Sequence, residues 1–175
     1  MALIKKVRNT MPVIGKDCYL AETATIIGDV VIGDYCSLWF NVVLRGDVNA
    51  IRVGNRVNIQ DGTVMHTLYK KSKVDIKDDV TIGHNAMIHG AIIKKRALIG
   101  IGATVLDNAV VGENTIVAAN ALVLSNAKLE ANSVYAGIPA KKIKDIEPEQ
   151  SKDMNERIAK DYIMYAGWFK EKDSW

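Results

Sequence analysis

Aliphatic residues recur along this chain every six positions. They fall at Ile14, Leu20, Ile26, Ile32, Leu38 and Leu44, resume at Ile59 and Met65, again at Ile76, Ile82 and Ile88, then run through Ile93, Ile99, Val105, Val111, Val117, Val123 and Leu129. Four residues after many of these stands a small side chain, as at Cys18, Ala24, Cys36, Ala86, Ala97, Ala103, Ala109, Ala121 and Ser133. The residue immediately after is often glycine, as at Gly15, Gly33, Gly83, Gly100 and Gly112. Helices repeat at about 3.6 residues and half-buried strands at about 2, so neither explains this spacing. A coil of three short strands does. Each hexapeptide forms one flat side of a triangular prism, the aliphatic residue fills the interior, and the tight corner needs a small neighbour and a permissive backbone. One coil then takes eighteen residues, and successive coils stack in parallel at about 4.8 Å. Such a solenoid buries its core only between neighbouring coils, so its ends need caps.

The pattern changes after residue 145. Pro148 suits a first helical turn, and Met154, Ile158, Tyr162, Tyr165 and Phe169 recur at helical spacing between charged residues. Residues 146–170 are therefore predicted to form one amphipathic helix that lies against the prism as a cap. The expected division is 1–145 for the β-helix and 146–175 for the helix packed on it, a single domain overall. Trp168 and Trp175 read as packing residues of that last segment.

Composition narrows the partners. The chain has 175 residues, 49% hydrophobic and 25% charged, which suits a globular protein with a real core. A formal charge of +3 and the absence of a basic stripe with interleaved aromatics argue against nucleic acid. The N-terminus lacks the apolar run of a signal peptide, and no stretch of about 18 apolar residues is present to span a bilayer. A cytoplasmic location is expected. Cys18 and Cys36 lie eighteen residues apart, stacked at one corner of adjacent coils. That spacing permits a disulfide, but a pair of small buried thiols is the expectation in a cytoplasmic core.

The repeats from Ile14 to Ala140 carry several further motifs. These are Arg45-Gly46-Asp47, Asn58-Ile59-Gln60-Asp61-Gly62, the set His66, His84 and His89, and Gly137-Ile138-Pro139-Ala140-Lys141. Together with the trailing helix they resemble the γ-class carbonic anhydrase family, over nearly the whole chain. The hexapeptides alone are shared with many acyltransferases; the three histidines with Arg-x-Asp and Asn-x-Gln-Asp-Gly are the specific part. The resemblance implies an all-β solenoid, a left-handed parallel β-helix of hexapeptide repeats with a C-terminal α-helix. The left hand is an exception to the usual right-handed crossover.

Register supports a metal site. The spacing from Met65 to Ile76 is eleven, so a five-residue insertion is expected to bulge out around Leu68 to Lys73. Leu44, Met65 and Ile88 then share one face of three successive coils. His66 and His89 stack one coil apart on that face, with Arg45 one coil below His66, close enough to converge on one ion. His84 lies on the preceding face and points away. It serves as a ligand only if a neighbouring molecule brings its own copy, and a cyclic homotrimer does this at three equivalent interfaces, as the resemblance implies. Gln60 sits on the face of His84, one coil earlier.

Three imidazoles leave a position open on a divalent ion, the mark of a catalytic site. Zn2+ is the expected metal, with Fe2+ and Co2+ as alternatives. Such a metal lowers the pKa of bound water to about 7. The substrate implied is CO2, attacked to give bicarbonate, with Gln60 holding the hydroxide or the developing anion. Gln60, Tyr69 and Asn58 are the candidate catalytic residues, although Asn58 reads first as a corner residue. Arg45, Asp47 and Asp61 are expected to form structural ion pairs that position the site, Arg45 with Asp47 or with Asp61 across the interface. The chain departs from active family members at Val48 and Tyr69, where they carry proton-handling glutamates. Tyrosine, with an ordinary pKa of about 10, is a weak substitute. Slow hydratase activity, acyl-CoA transfer or thioester hydrolysis, and a non-catalytic metal-binding trimer all stay open on sequence grounds.

Overall fold

The computed structural model describes residues 1–170, and Trp175 lies outside them. The chain winds into a left-handed parallel β-helix of about seven turns followed by one helix. Each side of the prism is a ladder of very short parallel strands. The first face stacks Leu3–Lys5, the start of Thr25–Ile32, the start of Val43–Val53, Val64–His66, Met87–His89, Thr104–Val105 and Leu122–Val123. The second stacks Val13–Ile14, the ends of the same two long strands, Val74–Ile76, Ile92–Ile93 and Val110–Val111. The third runs from Tyr19–Leu20 through Ser37–Leu38, Asn58–Ile59, Thr81–Ile82, Leu98–Ile99 and Ile116–Val117 to Ser133–Ala136.

The six-residue series fills the interior. Ile26, Leu44, Met65, Ile88, Val105 and Val123 are buried along the first face, and Leu38, Ile59, Ile82, Ile99 and Val117 along the third. Each such side chain contributes roughly 1.5–3 kcal/mol on leaving water. The gap in the series between Leu44 and Ile59 is filled by Val53, which pairs with Ile32 on one side and Ile76 on the other. Nine residues separate it from Leu44, so three extra residues are accommodated in the long strand Val43–Val53. The pairing shifts register there, between Gly28 and Val30 on the neighbouring strand. Asp47 stands in this irregular stretch, beside His66.

The conformational freedom that the corners need is found at the third residue after most of the interior aliphatics. Asp17, Tyr35, Asn41, Arg56, Asp79, Asn85, Arg96, Asn108, Asn114, Asn120, Asn126 and Asn132 all have positive φ, between 53° and 65°. Asparagine tolerates this region better than other L residues, which explains its recurrence every six positions from Asn108 to Asn132. The glycines directly after the aliphatics have a different reason. A Cβ on Gly15, Gly33, Gly83, Gly100 or Gly112 would overlap the backbone of the adjacent coil. They are required by close approach between coils, not by corner geometry.

The helix Pro148–Trp168 begins with proline in its first turn, as expected. It does not plug the end of the prism. Asn155 donates to the Arg96 carbonyl at 2.5 Å, Tyr162 meets the edge of Trp39 at 5.6 Å, and Phe169 lies 5.4 Å from Tyr19. The helix therefore runs along the third face, back toward the first coils. Its most buried residues are Asn155, Ala159 and Ala166, so small side chains set the close approach, with Tyr162 and Tyr165 packed at the edge of the aromatic cluster. The last coil is covered instead by Lys141–Asp145, which turns back antiparallel on Ser133–Ala136. No helix among the described residues is long and apolar enough to cross a membrane.

Candidate metal centre

His66 and His89 end their strands at paired positions on the first face. His66 Nδ1 and His89 Nε2 face each other at 3.2 Å. The other nitrogen of each ring is held by an aspartate: His66 Nε2 lies 3.0 Å from Asp47 Oδ1, and His89 Nδ1 lies 2.9 Å from both carboxylate oxygens of Asp107. An ionised carboxylate only accepts, so both outer nitrogens must carry the proton. With one proton on each ring, the two inner nitrogens that face each other are both lone-pair donors. Two such lone pairs repel at this distance unless a cation lies between them.

The aspartates are themselves anchored. Arg45 Nη1 donates to Asp47 Oδ2 at 2.6 Å, which leaves Oδ1 for His66. Burial alone would raise the Asp47 pKa, but the bonds from Arg45 and His66 outweigh it and hold the carboxyl below its usual value. Asp107 is held low in the same way: burial opposes, and the Ser72 hydroxyl and His89 prevail. The buried Ser72 donates to Asp107 at 2.5 Å and accepts from the Leu68 amide at 2.9 Å. Gly90, with φ of 58°, makes room for this arrangement, since a Cβ there would overlap Ser72 Oγ and Asp107 Oδ1.

His84 stands apart from this pair, on the third face, beside the pairing of Thr81–Ile82 with Asn58–Ile59. It follows the same chemistry, with Nδ1 at 2.8 Å from Asp61 Oδ2. Nε2 is thereby left as the free lone pair on a side chain that is 40% exposed. Among the described residues, no group of three His, Cys, Asp or Glu side chains within one chain is placed to hold a metal ion.

Arg45 pairs with Asp47 within its own chain, and Asp61 is engaged by His84. Asn58 is fully buried in a strand and not at a corner: it donates to Thr81 Oγ1 at 2.8 Å and accepts from Gln60 Nε2 at 3.0 Å. Gln60 is buried too, and its Oε1 makes no hydrogen bond to another described residue. Tyr69 rides half-exposed on the inserted loop, with Arg8 at 5.5 Å and Lys70 at 5.2 Å from its ring centre. Sequence reasoning missed Asp107 and Ser72. Asp107 stands eighteen residues after His89, one coil on, so the period itself was the signal. Cys18 and Cys36 are free, and each Sγ donates to a carbonyl at 3.1 Å, Gly33 and Gly54 respectively.

Comparison with known proteins agrees with this architecture. The family described as bacterial transferase hexapeptide (six repeats) matches residues 11–46 and 90–125. A carbonic anhydrase of Geobacillus kaustophilus is 43% identical, over 96% of this chain and 91% of its own length. The mitochondrial gamma carbonic anhydrase 2 of Arabidopsis thaliana is 39% identical over 89% of this chain, which spans 57% of that longer protein. Among solved structures, a hexapeptide transferase family protein from Anaplasma phagocytophilum superposes with a TM-score of 0.89 at 34% identity, covering 94% of this chain and 96% of the other. The chain belongs to the γ-class carbonic anhydrase family of hexapeptide-repeat β-helix proteins.

Proposed function

We propose that this chain is a carbonic anhydrase that hydrates CO2 to bicarbonate at sites shared between the subunits of a cyclic homotrimer. His66 and His89 of one subunit and His84 of the next would hold a divalent ion, zinc first, with iron or cobalt as alternatives. The reading rests on one observation, the Nδ1 of His66 and the Nε2 of His89 facing each other at 3.2 Å. Two nitrogens bound at about 2.0–2.1 Å to one tetrahedral ion stand roughly 3.3 Å apart, so the pair fits a metal as it stands. When bound, such an ion brings the pKa of a coordinated water to about 7 and so supplies the nucleophile at neutral pH.

The chain's own residues supply the rest. Asp47, Asp61 and Asp107 fix the tautomer and the direction of all three imidazoles, the usual duty of a carboxylate behind a ligating histidine. Asn58 holds the amide of Gln60 by its nitrogen, which leaves Oε1 to accept a proton-bearing group in the site. Gln60 thus orients the attacking oxygen, and Asn58 positions Gln60. The proton released on each turnover has no carboxylate to take it at position 48 or 69. The Tyr69 hydroxyl and soluble buffer are the carriers left, so turnover should be limited by buffer.

Anaerobically purified protein should contain one divalent ion per chain and hydrate CO2 above the buffer blank, with a rate that climbs as buffer is added. A trimer replete with metal that gives no hydration in any buffer would leave a metal-binding protein and end the catalytic reading.

A further inference from the structure

We infer that the inserted loop builds a binding site for a small phosphorylated anion, separate from the histidine pair. A cavity of about 360 Å3 opens on the outer side of the corner between the first and second faces. Lys70, Lys71 and Lys73 reach it from the inserted loop and Lys128 from a later coil, with Asn108 between them. This volume lies within the range of ligand pockets, roughly 300–1,000 Å3. No acidic residue lines it.

Several basic side chains elsewhere are paired with carboxylates: Lys77 with Asp75, Arg52 with Asp29, Arg56 with Asp79, Arg96 with Glu113, and Lys142 with Glu130 and Asp145. None of the four cavity lysines forms a salt bridge with a described residue. Lys128 spends one N–H on the Asn108 carbonyl at 3.1 Å, and Lys70 lies over the Tyr69 ring. Like charges gathered within a Debye length of about 10 Å repel one another, and an anion relieves that repulsion.

The loop is also held ready. Ser72, between Lys71 and Lys73, is buried and bonded three ways: to the Leu68 amide, to Asp107, and through its carbonyl to Asn49 Nδ2 at 2.7 Å. Its backbone is fixed while the flanking lysines stay exposed. Little backbone ordering therefore remains to be done on binding. Compact ammonium groups suit phosphate as point charges, and four of them match an anion with two adjoining phosphates.

Titration calorimetry with inorganic pyrophosphate at constant ionic strength tests this on the intact protein, with and without metal, so that the result does not depend on the hydratase reading. One saturable site per chain is expected in both forms. The double variant Lys71→Ala/Lys73→Ala should weaken binding at least tenfold, and Lys128→Ala, on a different coil, severalfold. Lys5→Ala/Lys6→Ala removes the same charge from the exposed N-terminal segment and should leave affinity within twofold of the parent. Absence of saturable binding, or equal weakening by both double variants, would overturn the site in favour of diffuse charge attraction.

Discussion

Asp107 accepts the Nδ1–H of His89 at 2.9 Å from the next coil, eighteen residues further along the chain. It thereby decides which nitrogen of His89 carries the lone pair that faces His66. Asp107→Asn keeps the shape but loses the charge and is free to present its amide N–H to the ring, which favours the wrong tautomer. Loss of a carboxylate behind a ligating histidine typically costs about 10–100-fold in metal affinity. Competition against a metal-binding dye should show that loss for zinc, with the circular dichroism spectrum unchanged. Affinity within twofold of the parent would make the aspartate a packing residue only.

Gly90 separates that pair from the corner that follows. Its φ of 58° and the overlap of any Cβ with Ser72 and Asp107 predict that Gly90→Ala destabilises the fold by about 1–3 kcal/mol. Denaturant melts at fixed protein concentration measure this. Metal affinity should fall in the same variant, because the intruding methyl displaces the groups that hold His89. A variant as stable as the parent would mean the corner relaxes freely.

Much of this was legible in the residues. The period of six gave the interior of the prism, and the eleven-residue step from Met65 to Ile76 located the inserted loop and so aligned His66 with His89, the pairing observed. Four things escaped. Val53 was hidden because the insertion before it is absorbed into a continuous strand and no turn residue marks it. The corner asparagines were overlooked for the glycines, although their own spacing of six carries the left-handed requirement. The course of the helix along the third face depends on Ala159 and Ala166, small residues that a search for large apolar ones passes over. Asp47 and Asp61 were read as ion-pair residues, because their offsets from His66 and His84 depart from eighteen, while Asp107, one uninterrupted coil from His89, was overlooked.

Sharing of the site between subunits makes a prediction that folding defects cannot imitate. His84→Ala and His66→Ala should each abolish metal binding. In a one-to-one mixture unfolded and refolded together, a site is restored wherever an intact His66 and His89 meet a neighbour's intact His84. Random assortment restores about a quarter of the sites of a cyclic trimer, and metal analysis of the mixture reads that fraction. No recovery in a correctly assembled mixture would show that the three histidines do not meet across subunits.

The two stacked thiols should differ in reactivity. The neighbouring Cys36 and the charge of Lys170 lower the Cys18 thiol to about 7 against the opposing effect of burial, while Cys36 is pushed up by its neighbour and by burial. Above pH 7 Cys18 is mostly thiolate and reactive, and below it is mostly protonated. Alkylation by iodoacetamide, followed by peptide mass spectrometry, should rise through pH 7 at Cys18, against about 8.5 for an ordinary thiol. Cys36 should stay unmodified in the folded protein. In Cys36→Ser, where the partner changes, the Cys18 midpoint should move.

Position 48 offers the sharpest test of why turnover should depend on buffer. Val48 follows Asp47 directly and lines a cavity of about 210 Å3 together with Arg8, Asp29 and Asn49. Val48→Glu would bring a carboxylate to that cavity, with the Arg8 guanidinium at hand to keep it ionised and so able to accept a proton. General acid–base assistance is typically worth about 10²–10⁴-fold. The variant should therefore raise kcat at least tenfold at low buffer concentration and flatten the dependence on buffer, with KM nearly unchanged, because proton removal follows substrate capture. Stopped-flow CO2 hydration across a buffer series distinguishes this from a general structural effect, which would move kcat and KM together. If the variant stays as slow and as buffer-dependent as the parent, the missing carboxylate is not what limits this site.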